Sequence, residues 1–102
     1  MIYVGEYSKG KRSGKGKEYN YDGELIYKGK YFNGKRNGMG KEYNLDILTF
    51  EGEYINGKRN GKGKEYNSKG ELIFEGEYLN GNRWNGKGKE YNSEDELIFE
   101  GE

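Results

Sequence analysis

A single unit of sequence recurs along the whole chain, and this recurrence constrains the fold more than any other feature. Glycines mark the unit at Gly5, Gly29, Gly52, Gly76 and Gly101, with spacings of 24, 23, 24 and 25 residues. A period of this size predicts a repeat protein in which each unit packs only against its neighbours. We treat residues 1–102 as one array, with copies at about 3–26, 27–49, 50–73 and 74–98 and a partial copy at 99–102.

The aromatic residues supply the surface that such an array needs to bury. Only 30% of the chain is hydrophobic and 35% is charged, which alone would favour disorder. Aromatic residues, however, make up 16% and recur in phase with the glycines. No apolar run is long enough for a signal peptide or a membrane span, so we expect a cytoplasmic protein, with peripheral membrane association as the alternative.

Each unit contains one strand with an apolar face. In the fourth copy Leu72, Phe74, Gly76 and Tyr78 alternate with residues of the other face. This period of two, with aromatic side chains, is typical of a half-buried strand. No segment has the period of a helix. The pattern therefore predicts an all-β fold, an elongated, twisted, single-layer antiparallel meander of stacked β-hairpins with about nine short strands.

Asn-Gly pairs predict where the hairpins turn, because both residues accept the positive φ of tight turns. One set follows the aromatic strands, at Asn33-Gly34, Asn56-Gly57 and Asn80-Gly81. A second set, at Asn37-Gly38, Asn60-Gly61 and Asn85-Gly86, is interpreted as a further turn signal. The glycines inside the strands have two interpretations. Either a neighbouring aromatic ring lies across the bare backbone, or the glycines permit bulges and extra twist.

These residues together resemble a known repeat. Tyr27-Lys-Gly-Lys-Tyr31 is followed by a hairpin of the type Asn56-Gly-Lys-Arg-Asn-Gly-Lys-Gly63 and then by a tyrosine such as Tyr66. This succession is similar to the MORN (membrane occupation and recognition nexus) repeat over essentially all residues. The resemblance implies an elongated single-layer sheet used for protein–protein assembly and, in some members, for contact with phospholipid. One departure is a tyrosine where that family often has tryptophan, at Tyr7, Tyr31, Tyr54 and Tyr78.

The aromatic face is the first candidate binding surface. A single sheet has no second layer to cover it, and a large exposed apolar patch usually marks an interface. We therefore expect this face to bind a protein partner or a second copy of the chain. The residues assigned to it are Tyr3, Tyr7, Tyr27, Tyr31, Phe50, Tyr54, Phe74 and Tyr78.

The second candidate surface is a border of basic hairpin tips. Charge is segregated with the period of the repeat, although the 18 basic and 18 acidic residues balance. Stacked hairpins would align the basic tips along one edge and acidic turns along the other. Solubility, docking on an acidic protein and binding to anionic lipid headgroups remain open as interpretations. The residues assigned to anion or lipid binding are Lys11, Arg12, Lys35, Arg36, Lys58, Arg59, Arg83 and Trp84.

The sequence predicts no catalysis. His and Cys are absent, and the serines have no base partner in any motif. The phosphate-loop match at Gly81–Lys87 lacks its Ser or Thr and is rejected. We expect no catalytic residue, cofactor or metal, and nucleic acid is the weakest partner candidate. The predicted function is a non-catalytic repeat scaffold or protein–protein interaction module, with binding to anionic phospholipid as the alternative.

Overall fold

A computed structural model gives the fold of residues 2–91 and 97–101, with side-chain burial described for residues 2–84. All the regular secondary structure in these residues is β. The nine strands are β1 (Ile2–Ser8), β2 (Lys11–Tyr19), β3 (Leu25–Phe32), β4 (Lys35–Asn44), β5 (Ile47–Ile55), β6 (Lys58–Tyr66), β7 (Leu72–Leu79), β8 (Asn82–Tyr91) and β9 (Leu97–Gly101).

The strands form one antiparallel sheet in which their order is the order of the chain. Each strand pairs with its neighbours in the sequence, as the hairpin signals predicted. The molecule measures 45 × 28 × 15 Å along its principal axes. The smallest of these dimensions is larger than the thickness of a flat sheet, because a sheet of this size is twisted and curved. The predicted elongated single-layer meander is confirmed.

The first set of Asn-Gly pairs forms the predicted turns. In the turn between β3 and β4, Asn33 and Gly34 have φ values of 53° and 89°. Two consecutive positive φ values define the type I′ turn, whose twist matches that of the flanking strands. Asn56-Gly57 and Asn80-Gly81 adopt the same conformation, with φ values of 51° and 86° and of 52° and 92°.

The second set of Asn-Gly pairs does not form turns, so that interpretation is wrong. Gly38 and Gly61 have φ values of 97° and 98° but lie inside β4 and β6. The pairing register shifts at these points. The segment of β4 or β6 that contains the glycine has more residues than the segment of the preceding strand that it faces. Asn85-Gly86 likewise falls within β8, near the register shift opposite Gly76 and Tyr78. The positive φ that the sequence indicated is used for a β-bulge instead.

Glycines form an unbroken row across the sheet. The pairing register runs from Gly5 to Gly16, and continues through Gly29, Gly40, Gly52, Gly63, Gly76, Gly88 and Gly101. A Cβ atom built on Gly63 would lie 2.7 Å from Cε1 and Cζ of Phe50 and 2.9 Å from Cε1 of Tyr78. On Gly16 it would lie 2.5 Å from Cε1 of Tyr3. Aromatic rings therefore lie across the bare backbone, which is the first of the two interpretations given above.

The rings pack edge-to-face in a continuous ladder along the sheet, which we call the aromatic ladder. Its members, in contact order, are Tyr3, Tyr31, Tyr27, Tyr54, Phe50, Tyr78 and Phe74. Neighbouring ring centroids lie 5.0–5.6 Å apart with interplanar angles of 81–88°. Edge-to-face pairs of this kind stabilise by about 0.5–1.5 kcal/mol beyond the area they bury. The ladder is the hydrophobic core of this one-layer protein.

Replacing Gly63 by alanine should destabilise the protein by about 1–3 kcal/mol, because the new methyl group would displace the rings of Phe50 and Tyr78. Urea unfolding followed by tyrosine fluorescence measures the change. The control is Gly70→Asn at a turn, where φ is +81° and no atom lies within 4 Å of the position that a Cβ would take. Asparagine tolerates that conformation, so a change below about 1 kcal/mol is expected. Equal losses in the two variants would contradict the ring-over-glycine contact.

Candidate functional site

Three clusters, each of one glutamate, one tyrosine and one arginine, connect successive repeats on the face of the aromatic ladder. We call them the Glu–Tyr–Arg clusters. They consist of Glu18, Tyr31 and Arg36; Glu42, Tyr54 and Arg59; and Glu65, Tyr78 and Arg83. In each cluster the glutamate comes from one strand, the tyrosine from the next and the arginine from the one after. Each cluster therefore fixes three adjacent strands and joins one repeat to the following one.

The cluster around Glu42 shows the geometry. Its carboxylate accepts a hydrogen bond from the hydroxyl of Tyr54. The same carboxylate accepts a bidentate contact from Arg59, with Nε to Oε2 at 2.9 Å and Nη2 to Oε1 at 3.0 Å. Bidentate, charge-assisted bonds of this kind are stronger than neutral ones. The two other clusters repeat the Nε contact, at 2.9 Å for Arg36 with Glu18 and 2.7 Å for Arg83 with Glu65.

Each arginine also covers a ring of the ladder. The guanidinium carbon lies 4.1 Å from the ring centroid of Tyr27 for Arg36, and 4.0 Å from that of Phe50 for Arg59. Arg83 lies 4.2 Å from the ring centroid of Phe74 in the same way. Such cation–π contacts strengthen where water is excluded. The arginine side chains thus provide the second layer that a single sheet otherwise lacks.

The ionisation of the cluster residues follows from this environment. Burial would raise the pKa of Glu42, but hydrogen bonds from Arg59 and Tyr54 and the nearby positive charges outweigh it, so the pKa is lowered. The pKa values of Glu18 and Glu65 are lowered by the same balance. Burial, and then the hydrogen bond to a carboxylate, raise the pKa of Tyr54. The glutamates are therefore charged and the cluster tyrosines neutral near physiological pH.

The arginines do not form the free basic tips that the sequence indicated. The prediction placed Arg12, Arg36, Arg59 and Arg83 on an anion-binding border. The side chains of Arg36 and Arg59 are only 24% and 26% exposed, and each is paired with a glutamate. Arg12 lies 4.7 Å from the ring centroid of Tyr3, and Arg83 is paired with Glu65. Since these guanidinium groups cover rings and bind carboxylates, they serve the fold first.

The predicted exposed aromatic face is also corrected. Six of its residues are buried, with exposures of 0–4%; they are Tyr27, Tyr31, Phe50, Tyr54, Phe74 and Tyr78. Tyr3 is half-buried against them, and Tyr7 is 61% exposed. The reason is that the rings cover one another and the glycines, and the arginines cover the rings. No large apolar patch remains among these described residues to require a partner, so their partner-binding role stays a prediction without that support.

The other tip residues are exposed and aligned. Lys11, Lys35 and Lys58 are all exposed, each just after a turn. Neighbouring turns are joined by backbone hydrogen bonds from Gly34 N to Arg12 O at 3.0 Å and from Gly57 N to Arg36 O at 2.8 Å. Gly81 N binds Arg59 O at 2.8 Å in the same manner. We call this row of turns the tip edge.

Large apolar side chains accompany these lysines at the tip edge. Phe32, Ile55 and Leu79 occupy the equivalent position before each Asn-Gly turn and are 68%, 53% and 50% exposed. Trp84, at the one-residue-longer bulge of β8, is 50% exposed. The tip edge therefore combines positive charge with apolar surface.

The turns of the opposite edge have a different construction. The side-chain oxygen of Asn20 accepts hydrogen bonds from the amides of Asp22 and Glu24 at 3.0 and 2.9 Å, and Asn67 repeats this arrangement with Lys69 and Glu71. The acidic turn residues Glu24 and Glu71 are thus held by asparagine amides. The acidic segment Glu94-Asp-Glu96 lies outside the described residues.

Sequence reasoning missed the cluster glutamates. Glu18, Glu42 and Glu65 each stand in a Lys-Glu-Tyr triplet that recurs in phase with the arginines. The glutamates and the arginines recur with the same period, and this common period was the available signal. A partly buried arginine needs a carboxylate partner, and here the preceding repeat supplies it. Tyr66 contacts Glu51, a residue of the opposite face, through a long hydrogen bond of 3.4 Å.

The fold defines a class, the single-layer array of β-hairpins whose rings cover a glycine row. The family model of the MORN repeat matches residues 3–24, 27–44 and 50–71, which is more than half of the chain. The chain therefore belongs to the MORN repeat family. A comparison with curated proteins found no match. MORN repeats are generally interaction modules or membrane-associated modules.

The described part of the chain has neither a membrane-spanning helix nor a metal-binding cluster. Residues 2–91 and 97–101 include no helix of the length and apolarity needed to cross a bilayer. Among residues 2–84, whose side chains are described, no group of three acidic side chains is arranged to bind a metal ion. The expected absence of metal, cofactor and catalytic activity stays a prediction.

Glu42→Gln should lower the free energy of unfolding by about 1–3 kcal/mol, because the amide cannot keep the charge-assisted bonds to Arg59. The matched control is Glu51→Gln, whose partner Lys41 lies 3.6 Å away with a side chain that is 45% exposed. Exposed pairs of this kind contribute below about 1 kcal/mol. Urea unfolding of the two variants gives the comparison, and a larger loss at Glu51 would contradict the structural role of the cluster.

Acid should destabilise the protein through the same glutamates. Because the folded pKa values of Glu18, Glu42 and Glu65 are lowered, the unfolded chain takes up protons first as the pH falls below about 4.5. The free energy of unfolding should be constant above this pH and decrease as the pH falls towards the lowered values. Urea unfolding as a function of pH measures this. In Glu42→Gln the decrease should be smaller, and an unchanged decrease would argue against the cluster as its source.

Proposed function

We propose that this protein is a non-catalytic repeat scaffold that binds a protein partner through the exposed surfaces of a stiff sheet. The observation that carries the proposal is the use of the aromatic face as an internal core. Rings, glycines and Glu–Tyr–Arg clusters couple every described repeat to the next, which favours one continuous body. Its exposed surfaces are then the tip edge and the face opposite the aromatic ladder.

The chemistry of the side chains favours binding over catalysis. Each cluster carboxylate is held by an arginine and a tyrosine hydroxyl, so it has little capacity to exchange protons near neutral pH. The pKa values of Tyr31 and Tyr78 are raised, by burial first and then by hydrogen bonds to Glu18 and Glu65, which keeps those hydroxyl groups protonated. The sequence contains no His or Cys.

The area of the sheet is sufficient for a specific interface. The face opposite the ladder extends over much of the 45 × 28 Å outline of the molecule. A stable protein–protein interface buries about 800 Å² on each partner. A second copy of the chain is one such partner, and light scattering would detect it as a doubled mass. Burial of the aromatic ladder means that this partner would have to bind elsewhere on the sheet.

Peripheral membrane binding is the second candidate, and the composition of the tip edge favours it. Phe32, Ile55 and Leu79 are at least half exposed, and Trp84 is 50% exposed. Exposed lysines stand on the other side of the same turns. Apolar and aromatic side chains beside positive charge suit the surface of an anionic bilayer.

Flotation with phosphatidylserine vesicles separates the two functions. As a protein-binding scaffold, the wild-type chain should stay at the bottom of the gradient even at low salt. The test variant K11E/K35E/K58E reverses exposed charges at the tip edge without touching the clusters. A matched control, K62E/K64E/K69E, makes the same change in charge elsewhere. If the wild type floats, and flotation is lost in the tip variant but not in the control variant, the scaffold function is rejected in favour of membrane binding.

A further inference from the structure

On the face opposite the aromatic ladder, the glycine row forms the floor of a groove that runs across the strands. The residues before and after each glycine point to this face and form the two walls. Gly16 is flanked by Lys15 and Lys17, and Gly29 by Lys28 and Lys30. Two residues along a strand span about 7 Å, so the groove has roughly that width between wall backbones.

In the second half of the sheet, lysines of the groove walls pair with glutamates of the neighbouring strand. Lys41 lies 3.6 Å from Glu51, and Lys64 lies 3.8 Å from Glu75. Here the glycines of β5 and β7 are flanked by glutamates, in Glu51-Gly-Glu53 and Glu75-Gly-Glu77. Opposite charges therefore alternate from strand to strand, as stability requires.

In the first half, β3 breaks this alternation. Lys28 and Lys30 stand where the third and fourth copies have glutamates. The register places Lys30 directly opposite Lys15, and Lys28 opposite Lys17. Like charges in directly opposed positions are destabilising. Comparison of the repeats therefore shows that the second copy contains a destabilising pairing of like charges that the third and fourth copies do not have.

A second cost falls on Lys30. At the equivalent positions, the carboxylates of Glu6 and Glu53 accept hydrogen bonds from the bulge amides of Lys15 and Lys62, at 3.0 and 2.7 Å. A lysine cannot accept such a bond. Residues that reduce stability in this way are characteristic of functional sites, where binding rather than folding determines the side chain.

The lysines of this half are accessible. Lys15, Lys17, Lys28 and Lys30 are all exposed. Within residues 2–84, no carboxylate lies within 4.0 Å of their ammonium groups. The concave surface continues past them to Val4 and Met39, which are 56% and 53% exposed. We call this surface, floored by Gly16 and Gly29, the lysine groove.

We infer that the lysine groove binds an acidic, extended segment of the protein partner. This inference rests on the proposed scaffold function and specifies the chemistry of its partner. An extended chain alternates its side chains left and right, so acidic residues would reach lysines on both walls while the backbone passes over the glycines. The apolar Val4 and Met39 at either end suit apolar residues of the same segment.

The shape of the groove favours a polypeptide over a compact anion. From Val4 in β1 to Met39 in β4 it crosses three strand spacings, which at about 4.8 Å each is roughly 14 Å and matches several extended residues. Lys41 and Glu51 line its continuation. A compact polyphosphate would contact the four lysines but leave Val4 and Met39 unused.

Fluorescence anisotropy with a labelled short peptide, in which consecutive Glu residues are flanked by a Leu at each end, tests the inference on the full chain. We expect saturable binding by the wild type that weakens with salt and is absent for a matched Gln and Leu peptide. K28E/K30E should weaken binding about tenfold or more, because two attractive contacts become repulsive. The variant should fold and melt at a higher temperature, since it restores the charge pattern of the third and fourth copies.

The converse variant, E75K/E77K, gives the second copy's pattern to the fourth, beside Lys62 and Lys64. It should add a second peptide site. Absence of wild-type binding, or equal binding to K28E/K30E, would overturn the inference. So would binding of phosphatidylserine vesicles that depends on Lys28 and Lys30 without peptide binding. Vesicle binding through the tip edge would instead reject the scaffold function, so the two failures are distinguishable.

Discussion

The contact between an aromatic ring and the bare backbone of a neighbouring strand is the interaction on which the other features of this protein depend. A sheet of one layer has no opposing sheet or helix against which to bury side chains. Here Tyr27 and Phe50 extend across Gly40 and Gly63, where a Cβ atom would collide with the rings. Glycine, normally unfavourable inside a strand, is therefore required. The rings are buried because the backbone itself is one wall of their environment.

The coupling between repeats follows from this arrangement. A ring above a glycine is still open on its outer side, and an arginine from the other strand of the same hairpin covers it. That guanidinium needs a carboxylate, which the preceding repeat provides, and the same carboxylate accepts a hydrogen bond from the hydroxyl of a tyrosine. Cluster and ladder contacts thus involve neighbouring units, as in other repeat proteins whose stability is a sum of nearest-neighbour terms. Stability is distributed along the array instead of being concentrated at one centre.

The sequence was sufficient for the elements and their order because those depend on local patterns. Period-two alternation located the aromatic strands, and Asn33-Gly34 located a turn whose positive φ few other residues accept. The number of residues between Gly29 and Gly40 could not distinguish a bulge from a turn, because both use a positive φ at Gly38. That distinction depends on the pairing of the whole strand.

The surfaces were harder to predict than the strands. Arg36 and Arg59 look like solvent-exposed tip residues when the sequence is considered alone, because the turn signal stands beside them. Their side chains instead fold back over rings of the aromatic ladder, and no local pattern encodes that direction. The buried state of Tyr31 and Tyr54 depends on those same arginines. One error about the direction of a side chain therefore produced two errors about exposure.

The position of the bulges and turns also determines how such a chain can change its length. The cluster residues Glu and Tyr are separated by 13, 12 and 13 residues in successive repeats, yet their contacts are the same. The shorter interval is accommodated by the two-residue turn Leu45-Asp46, and the additional residue of the fourth hairpin by the bulge of β8. Insertions and deletions at these places leave the glycine row in register. Duplication of a complete unit would do the same, so the array could be lengthened one repeat at a time while every existing contact between neighbouring repeats is kept.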